Sequence, residues 1–113
     1  MGTFRRGDVV IAAVTLGKRD VKKTRPVVMV ADQGNSSWLA CPISSTPPYD
    51  NTPSIPLDLQ DFEEGGLDIM LASYVLAGHP LNIRASDVMA KKGTLSGEVL
   101  EAIISLVSGS TDM

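Results

Sequence analysis

The segment KKTRPVVMVAD, residues 22–32, decides the fold prediction because it places a cluster of cations directly before a run of apolar residues. Pro26 has no N–H to donate, so it suits the first residue of a strand, and the apolar residues 27–30 follow it. Proline also pushes the preceding residue toward extended backbone, which fixes the direction in which Arg25 leaves the sheet. The segment therefore predicts a buried strand with an arginine at its entrance.

Other strand signals lie on both sides of this segment, at DVVIAAV (8–14) and WLACPI (38–43). Their apolar runs are nearly continuous rather than alternating, which favours burial on both faces, as in a tightly curled sheet or small barrel. Further strands are expected at IPLDL, at 67–77 and at 81–84. The intervening predictions are a proline-rich surface loop over 44–56, an acidic turn at QDFEEGG and a helical turn near 86–90.

The C-terminal segment TLSGEVLEAIISLVSGS carries apolar residues at helical spacing, at 99, 100, 103, 104, 106 and 107. Ser96 suits the helix N-cap and Glu98 suits the positive end of the helix dipole, and we expect the helix to stop near Gly109. Strands followed by one amphipathic helix predict an α+β domain with a mainly antiparallel sheet, which the helix covers on one side.

Length and composition indicate one folded domain, 1–113, with termini that we expect to be mobile. No apolar run reaches the ~20 residues that cross a bilayer, and the first residues lack a signal-peptide core, so we expect a cytoplasmic protein without membrane contact. The single cysteine, Cys41, has no Cys or His cluster around it, so we expect a buried strand residue and no metal site.

Charge is segregated along the chain, although the net charge is only -3. Five of the ten basic residues lie between 18 and 25, whereas an acidic stretch covers 58–68. Because screening limits the reach of distant charges to ~8 Å at physiological salt, a local basic patch can attract an anion. The same run is also compatible with a solvated hairpin tip.

Five segments, FRRGDVVIAAV, KKTRPVVMVAD, LACPISS, LDIMLASYVLAGHPLNI and AKKGTLSGEVLEAI, together resemble the MazF/PemK toxins of toxin-antitoxin systems over nearly the whole chain. The resemblance implies a small SH3-like barrel related to CcdB toxins, with a C-terminal helix and usually a homodimer. It also implies an endoribonuclease that cleaves single-stranded RNA without a metal ion or cofactor. Such enzymes leave a 2',3'-cyclic phosphate and a 5'-OH, and a cognate antitoxin is the implied partner.

The resemblance places the catalytic pair of the family at Arg25, before the proline, and at Ser44, at the end of the third strand. Arg25 suits phosphate binding because a planar guanidinium donates two charge-assisted hydrogen bonds, whereas its pKa above ~12 excludes it as a base. His79 stands where many relatives carry a glutamine beside an acid, so it is either a proton-transfer group or a turn residue before Pro80. The expected RNA contacts are Lys18, Arg19, Lys22, Lys23, Ser45 and Tyr49.

Two departures from the family pattern keep other functions open. The loop GKRDVKK lacks the acidic residue and the glutamine that many members carry before the arginine, and Gly78 with His79 replaces the acid-glutamine pair. These departures leave open a non-catalytic relative, either a topoisomerase poison or an inactive homologue. A plain SH3-like binding module is the third alternative, which the basic loop disfavours.

Overall fold

A curled antiparallel sheet of eight strands, with one C-terminal helix packed against it, forms the fold in a computed structural model of the chain. The structure describes residues 4–15, 22–44, 53–65, 73–78 and 80–111. The strands are β1 (Asp8–Thr15), β2 (Lys22–Gly34), β3 (Ser37–Ser44), β4 (Ser54–Leu57), β5 (Phe62–Gly65), β6 (Ser73–Leu76), β7 (Leu81–Arg84) and β8 (Val88–Leu95). Helix α1 spans Gly97–Thr111, and 3-10 turns occupy Leu59–Asp61 and Ala85–Asp87.

The strand order is β4-β6-β3-β2-β1-β8-β5, and β7 pairs with β3 beside this path. Strand β3 changes partners along its length, since Ser37–Ala40 pairs with β7 and Ile43–Ser44 pairs with β6. Register shifts interrupt the ladders of β1 with β8, β2 with β3 and β5 with β8. Bulges of this kind bend a strand and increase its twist, which accounts for the curl.

Apolar side chains pack on both faces of the sheet, as the continuous runs of β1, β2 and β3 predicted. The helix face holds Val28, Cys41 and Ile43 among others, which pack with Ile103 and Val107 of α1. The opposite face, called here the open face, holds a second buried cluster: Val10, Ala12, Val14, Val27, Met29, Trp38, Ala40 and Ile83. Alternate residues of each central strand therefore point to different cores.

Asp8 ties the start of β1 to β8 and is fully buried. Its Oδ2 accepts the backbone N–H of Arg5 at 2.9 Å, and its Oδ1 accepts the hydroxyl of Thr94 at 3.0 Å. The Nζ of Lys91 lies 3.4 Å from the same Oδ1. Because a buried carboxylate is costly unless it is hydrogen-bonded, these contacts explain how Asp8 is accommodated inside the fold.

The two polar segments of the second half differ from their predictions. The acidic segment predicted as a turn forms the 3-10 turn Leu59–Asp61 and then strand β5, whose Glu63 and Glu64 are exposed. The helical turn expected near 86–90 is restricted to Ala85–Asp87, and strand β8 begins at Val88. Both strands carry polar side chains and are stabilised by backbone pairing with each other, which apolar periodicity does not reveal.

Three other boundaries also shift. Ser44 and Ser54–Leu57 belong to strands, which corrects both ends of the loop predicted over 44–56, and 45–52 lie outside the described residues. The predicted strand 67–77 is a strand over Ser73–Leu76, and 67–72 lie outside the described residues. The helix begins directly after Ser96, as expected, but continues to Thr111 rather than stopping near Gly109. Within the described ranges, no helix has the length and apolarity needed to span a membrane.

Candidate functional site

Arg25 lies on β2 directly before Pro26 and pairs with Ala12 of β1. Its side chain is half-buried, and its Nε is a buried donor without a hydrogen-bond partner among the described residues. A buried, unpaired polar group is rare in folded proteins and calls for a specific explanation, such as a ligand that completes its hydrogen bonds. For a guanidinium, the matching ligand is an anion such as a carboxylate or phosphate.

Ser44 is the last residue of β3, where it pairs with Tyr74 of β6 and is half-buried. The ladder between β2 and β3 runs through Met29↔Ala40 and Val28↔Cys41 and ends at Val27↔Pro42. Carrying this register two residues further sets Ser44 opposite Arg25. The two prolines, at 26 and 42, lack backbone donors, which explains why the ladder ends at this position.

Arg25 and Ser44 also share a face of the sheet. Arg25 is two residues from Val27, and Ser44 is four residues from Ala40, and both of these apolar side chains belong to the open face. Since side chains alternate along a strand, both functional candidates point to the open face and away from α1. The extended register therefore predicts that two residues 19 positions apart in the sequence lie opposite each other.

Of the remaining predicted site residues, the structure describes the backbones of Lys22 and Lys23. Lys18, Arg19, Ser45, Tyr49 and His79 lie outside the described residues. The backbones of Lys22 and Lys23 form the first two positions of β2, opposite Thr15 and Val14, so they precede Arg25 on the same strand. Strand β2 therefore begins four residues before Pro26, which was expected as its first residue, because the pairing with β1 extends to Lys22. The two lysines lie on this strand rather than in the loop before it.

Met89 lies at a β-bulge on β8, next to Ala12, the residue of β1 that pairs with Arg25. Ile11 pairs with Ala90 and Ala12 pairs with Val88, so Met89 is the extra residue on β8. Its side chain is 66% exposed, and its Sδ lies 3.7 Å from the hydroxyl of Thr24, the residue before Arg25. Bulges often redirect a side chain next to functional sites. The sequence analysis missed this residue because it predicted a helical turn there.

A cavity of about 720 Å³ opens where β7 and the Ala85–Asp87 turn approach the end of β1. Its apolar lining includes Val14, Leu81 and Ile83, and its polar lining includes Asn82, Arg84 and Asp87. The backbone N–H of Arg84 donates to Oδ2 of Asp87 at 3.1 Å, which fixes the carboxylate beside the strand. The sequence analysis left this segment without a function, since polar residues around a short strand gave no motif.

Several aromatic and sulfur-containing residues have structural positions. Trp38 is buried in the open-face cluster, and Phe4 and Phe62 pack against the two cores, so all three contribute to packing. Cys41 is buried, and desolvation raises the pKa of its thiol to about 12. In the part of the chain that the structure describes, no group of three His, Cys, Asp or Glu residues is arranged to hold a metal ion.

Comparison with solved structures identifies the same fold in bacterial toxins. The Mycobacterium tuberculosis toxin MazF-mt6 aligns with a TM-score of 0.67 at 18% identity, covering 94% of this chain and 97% of that one. A MazE-MazF structure from Deinococcus radiodurans aligns with a TM-score of 0.69 at 17% identity, covering 96% and 95%. An endoribonuclease in complex with its cognate antitoxin, from a mycobacterial species, gives 0.70 at 13% identity, covering 96% and 94%.

No curated protein sequence matches the chain significantly. The sequence profile of one protein family matches residues 5–108, and this family is described as the PemK-like, MazF-like toxins of type II toxin-antitoxin systems. The match includes Arg25 and Ser44 and extends from the segment before β1 into α1. The chain therefore belongs to the PemK-like, MazF-like toxin family.

Proposed function

We propose that this toxin is an endoribonuclease that cleaves single-stranded RNA by transesterification, with Arg25 and Ser44 at its centre. The observation that carries the proposal is the buried Nε of Arg25, which has no hydrogen-bond partner among the described residues. Extending the register of β2 with β3 beyond its last pair, Val27↔Pro42, sets Ser44 opposite this arginine. A guanidinium with a free donor, beside a hydroxyl, matches the needs of a phosphodiester whose charge increases in the transition state.

The reaction begins when the ribose 2'-oxygen attacks the adjacent phosphorus. The new 2'-O–P bond forms while the P–O5' bond breaks, which gives a 2',3'-cyclic phosphate and a 5'-OH. The 2'-OH proton passes to a base, and an acid protonates the leaving 5'-oxygen. No metal ion is required, because Arg25 supplies the positive charge at the equatorial phosphate oxygens.

Ser44 contributes a hydrogen bond rather than a covalent bond. Its hydroxyl orients the 2'-OH or donates to the phosphate, while the 2'-oxygen of the RNA itself is the nucleophile. His79 is the proposed proton-transfer group, because histidine titrates near ~6.5 and is the only one in the chain. Tyr49 and Ser45 are proposed contacts for the bases and backbone next to the cleaved bond.

The lysines and arginine before Pro26 form the proposed electrostatic collar for the RNA backbone: Lys18, Arg19, Lys22 and Lys23. Phosphate contacts of this kind release counterions, so the affinity for RNA should fall steeply as salt increases. The proposed antitoxin is an acidic, partly disordered segment that folds across these cations and competes with RNA. A solved relative in complex with its cognate antitoxin supports this partner, and we propose a cytoplasmic homodimer as the free toxin.

The test is cleavage of a long RNA by the purified protein in the presence of EDTA, with cleavage sites mapped by primer extension. Arg25→Ala should lower kcat by ~100-fold to 1000-fold, as for the loss of one preorganised donor to a developing oxyanion. Arg6→Ala is the matched control, since Arg6 is exposed and precedes β1. Equal cleavage by wild type and Arg25→Ala would refute the proposal. Growth inhibition without any new RNA ends would favour a non-catalytic toxin.

Ser44 and His79 need separate variants. Ser44→Ala should lower kcat by ~10-fold to 100-fold, because it removes one hydrogen bond to a charged group. Ser44→Thr keeps the hydroxyl and should restore kcat. His79→Gln should remove one limb of the pH-rate profile if His79 transfers a proton. An unchanged profile would assign His79 to the turn before Pro80 and leave the base unassigned.

A further inference from the structure

We propose that the cavity between β7 and the end of β1 binds one nucleotide of the RNA, separate from the cleaved bond. This inference rests on the proposed function, because the occupant is a part of the same substrate. The base would enter the apolar part of the cavity, and its phosphate would lie at Arg84.

The size and lining of the cavity suit a nucleobase. A volume of about 720 Å³ falls in the range of pockets that hold small organic ligands. The half-buried Leu81 supplies apolar surface for the flat face of a base, and Val14 and Ile83, each 4% exposed, form the floor beneath it. The amide of Asn82 offers a donor and an acceptor for its hydrogen-bonding edge, which is the arrangement that reads unpaired bases in RNA.

The charges around the cavity favour a nucleotide over an acidic or a basic peptide. Arg84 is exposed at the end of β7, where its guanidinium can bind a phosphate. Asp87 accepts the backbone N–H of Arg84 and provides an acceptor for an amino group. A site with one cation, one fixed acceptor and an apolar wall matches a phosphate joined to a base.

The cavity continues the surface that contains Arg25. Ala12 pairs with Arg25, and Val14, which lines the cavity, is two residues further along β1 on the same face. Two residues of a strand span about 7 Å. An extended RNA whose scissile phosphate lies at Arg25 therefore reaches the cavity within a nucleotide or two.

β7 presents hydrogen-bonding groups to the cavity through its backbone as well. In the described sheet it pairs only with β3, so its other edge belongs to no strand ladder, and on this strand the N–H of Arg84 already donates to Asp87. All four of its residues, Leu81–Arg84, line the cavity. An open strand edge next to an apolar wall gives a base edge additional partners without further side chains.

The test uses the full chain and 2'-O-methylated RNA oligonucleotides, which bind without being cleaved. Asn82→Ala and Arg84→Ala should each weaken binding by about ten-fold, which corresponds to about 1.4 kcal/mol. Gln33→Ala and Arg6→Ala, at exposed positions on β2 and before β1, are the matched controls and should leave binding unchanged. Asn82 and Arg84 are both exposed, so their replacement should preserve folding, which a thermal melt checks.

Sequence selectivity provides the second measurement. Cleavage of a randomised RNA pool by Asn82→Ala and Asn82→Asp should keep the 5'-OH product but change the base preference at one position beside the cut. If both variants cleave with the wild-type preference and affinity, the cavity has no role in RNA binding, whereas the nuclease proposal stands. A different result separates the two proposals. If the wild-type protein binds the oligonucleotide without cleaving RNA, and Asn82→Ala weakens this binding, the nuclease proposal fails and the nucleotide site remains. Loss of affinity for an antitoxin peptide alone would overturn the nucleotide assignment.

Discussion

Replacement of Asp8 tests whether its buried network holds β1 against β8. Asp8→Ala removes the acceptor for Arg5 and Thr94 and leaves the hydroxyl of Thr94 buried without this partner. A hydrogen bond to a charged group contributes about 1.5–3 kcal/mol. The ion pair adds less than ~1 kcal/mol, since Lys91 is 37% exposed.

Together these contributions predict a loss of about 3–7 kcal/mol for Asp8→Ala, a large part of the ~5–15 kcal/mol that stabilises a small domain. Asp8→Asn keeps the size of the side chain and one acceptor, so it should cost less. Equilibrium urea unfolding measures both values, and Thr94→Val isolates the contribution of the hydroxyl.

A double-mutant cycle with Lys91→Met separates the ion pair from the hydrogen bonds. A coupling energy below ~1 kcal/mol is expected for a partly exposed pair. If Asp8→Ala cost less than ~1 kcal/mol in all, the network would contribute no more than an ordinary surface contact, and the account of Asp8 given above would be wrong.

Two further pairs of substitutions test the packing. Gly65 has φ 68°, and a Cβ there would lie 2.5 Å from the carbonyl oxygen of Lys92, whereas Gly34 has φ 80° and open space around it. Gly34→Ala should lower the free energy of unfolding by only the ~1–2 kcal/mol of left-handed backbone strain. Gly65→Ala should lower it by clearly more, because the new Cβ also meets this carbonyl oxygen. Equal losses for the two variants would contradict the contact. Met29 is fully buried, whereas Met89 is 66% exposed. In the same urea assay, Met29→Ala should lower the free energy of unfolding by about 2–5 kcal/mol and Met89→Ala by less than ~0.5 kcal/mol. Similar losses would contradict the burial assigned to the two residues.

Local sequence signals predicted the central strands well. Pro26 and the apolar residues after it mark β2, and the continuous apolar runs indicate burial on both faces, as the two clusters confirm. The signals failed where pairing rather than side-chain chemistry stabilises a strand. Glu63 and Glu64 are exposed on β5, so their polarity suggested a turn, although the backbone of β5 pairs with β8.

The candidate site was predictable in part. Its residues, Arg25 and Ser44, came from the family resemblance, and the register of β2 with β3, carried past Val27↔Pro42, predicts that they lie opposite each other. The cavity was not predictable, because Val14 and Arg84 come from distant parts of the chain and meet only through the curl of the sheet and the path of β7. Hydrophobic periodicity assigns residues to faces, but it carries no information on which strands become neighbours.

The burial of Cys41 makes the protein convenient for spectroscopic labelling. Its thiol, with a pKa of about 12, stays protonated and enclosed at neutral pH, so maleimide or spin-label reagents should leave it unmodified. Because the chain has no other cysteine, a single cysteine introduced at an exposed position would carry the probe alone. Gln33 and Ser86 are two such exposed positions, and either could be labelled without prior removal of the native thiol.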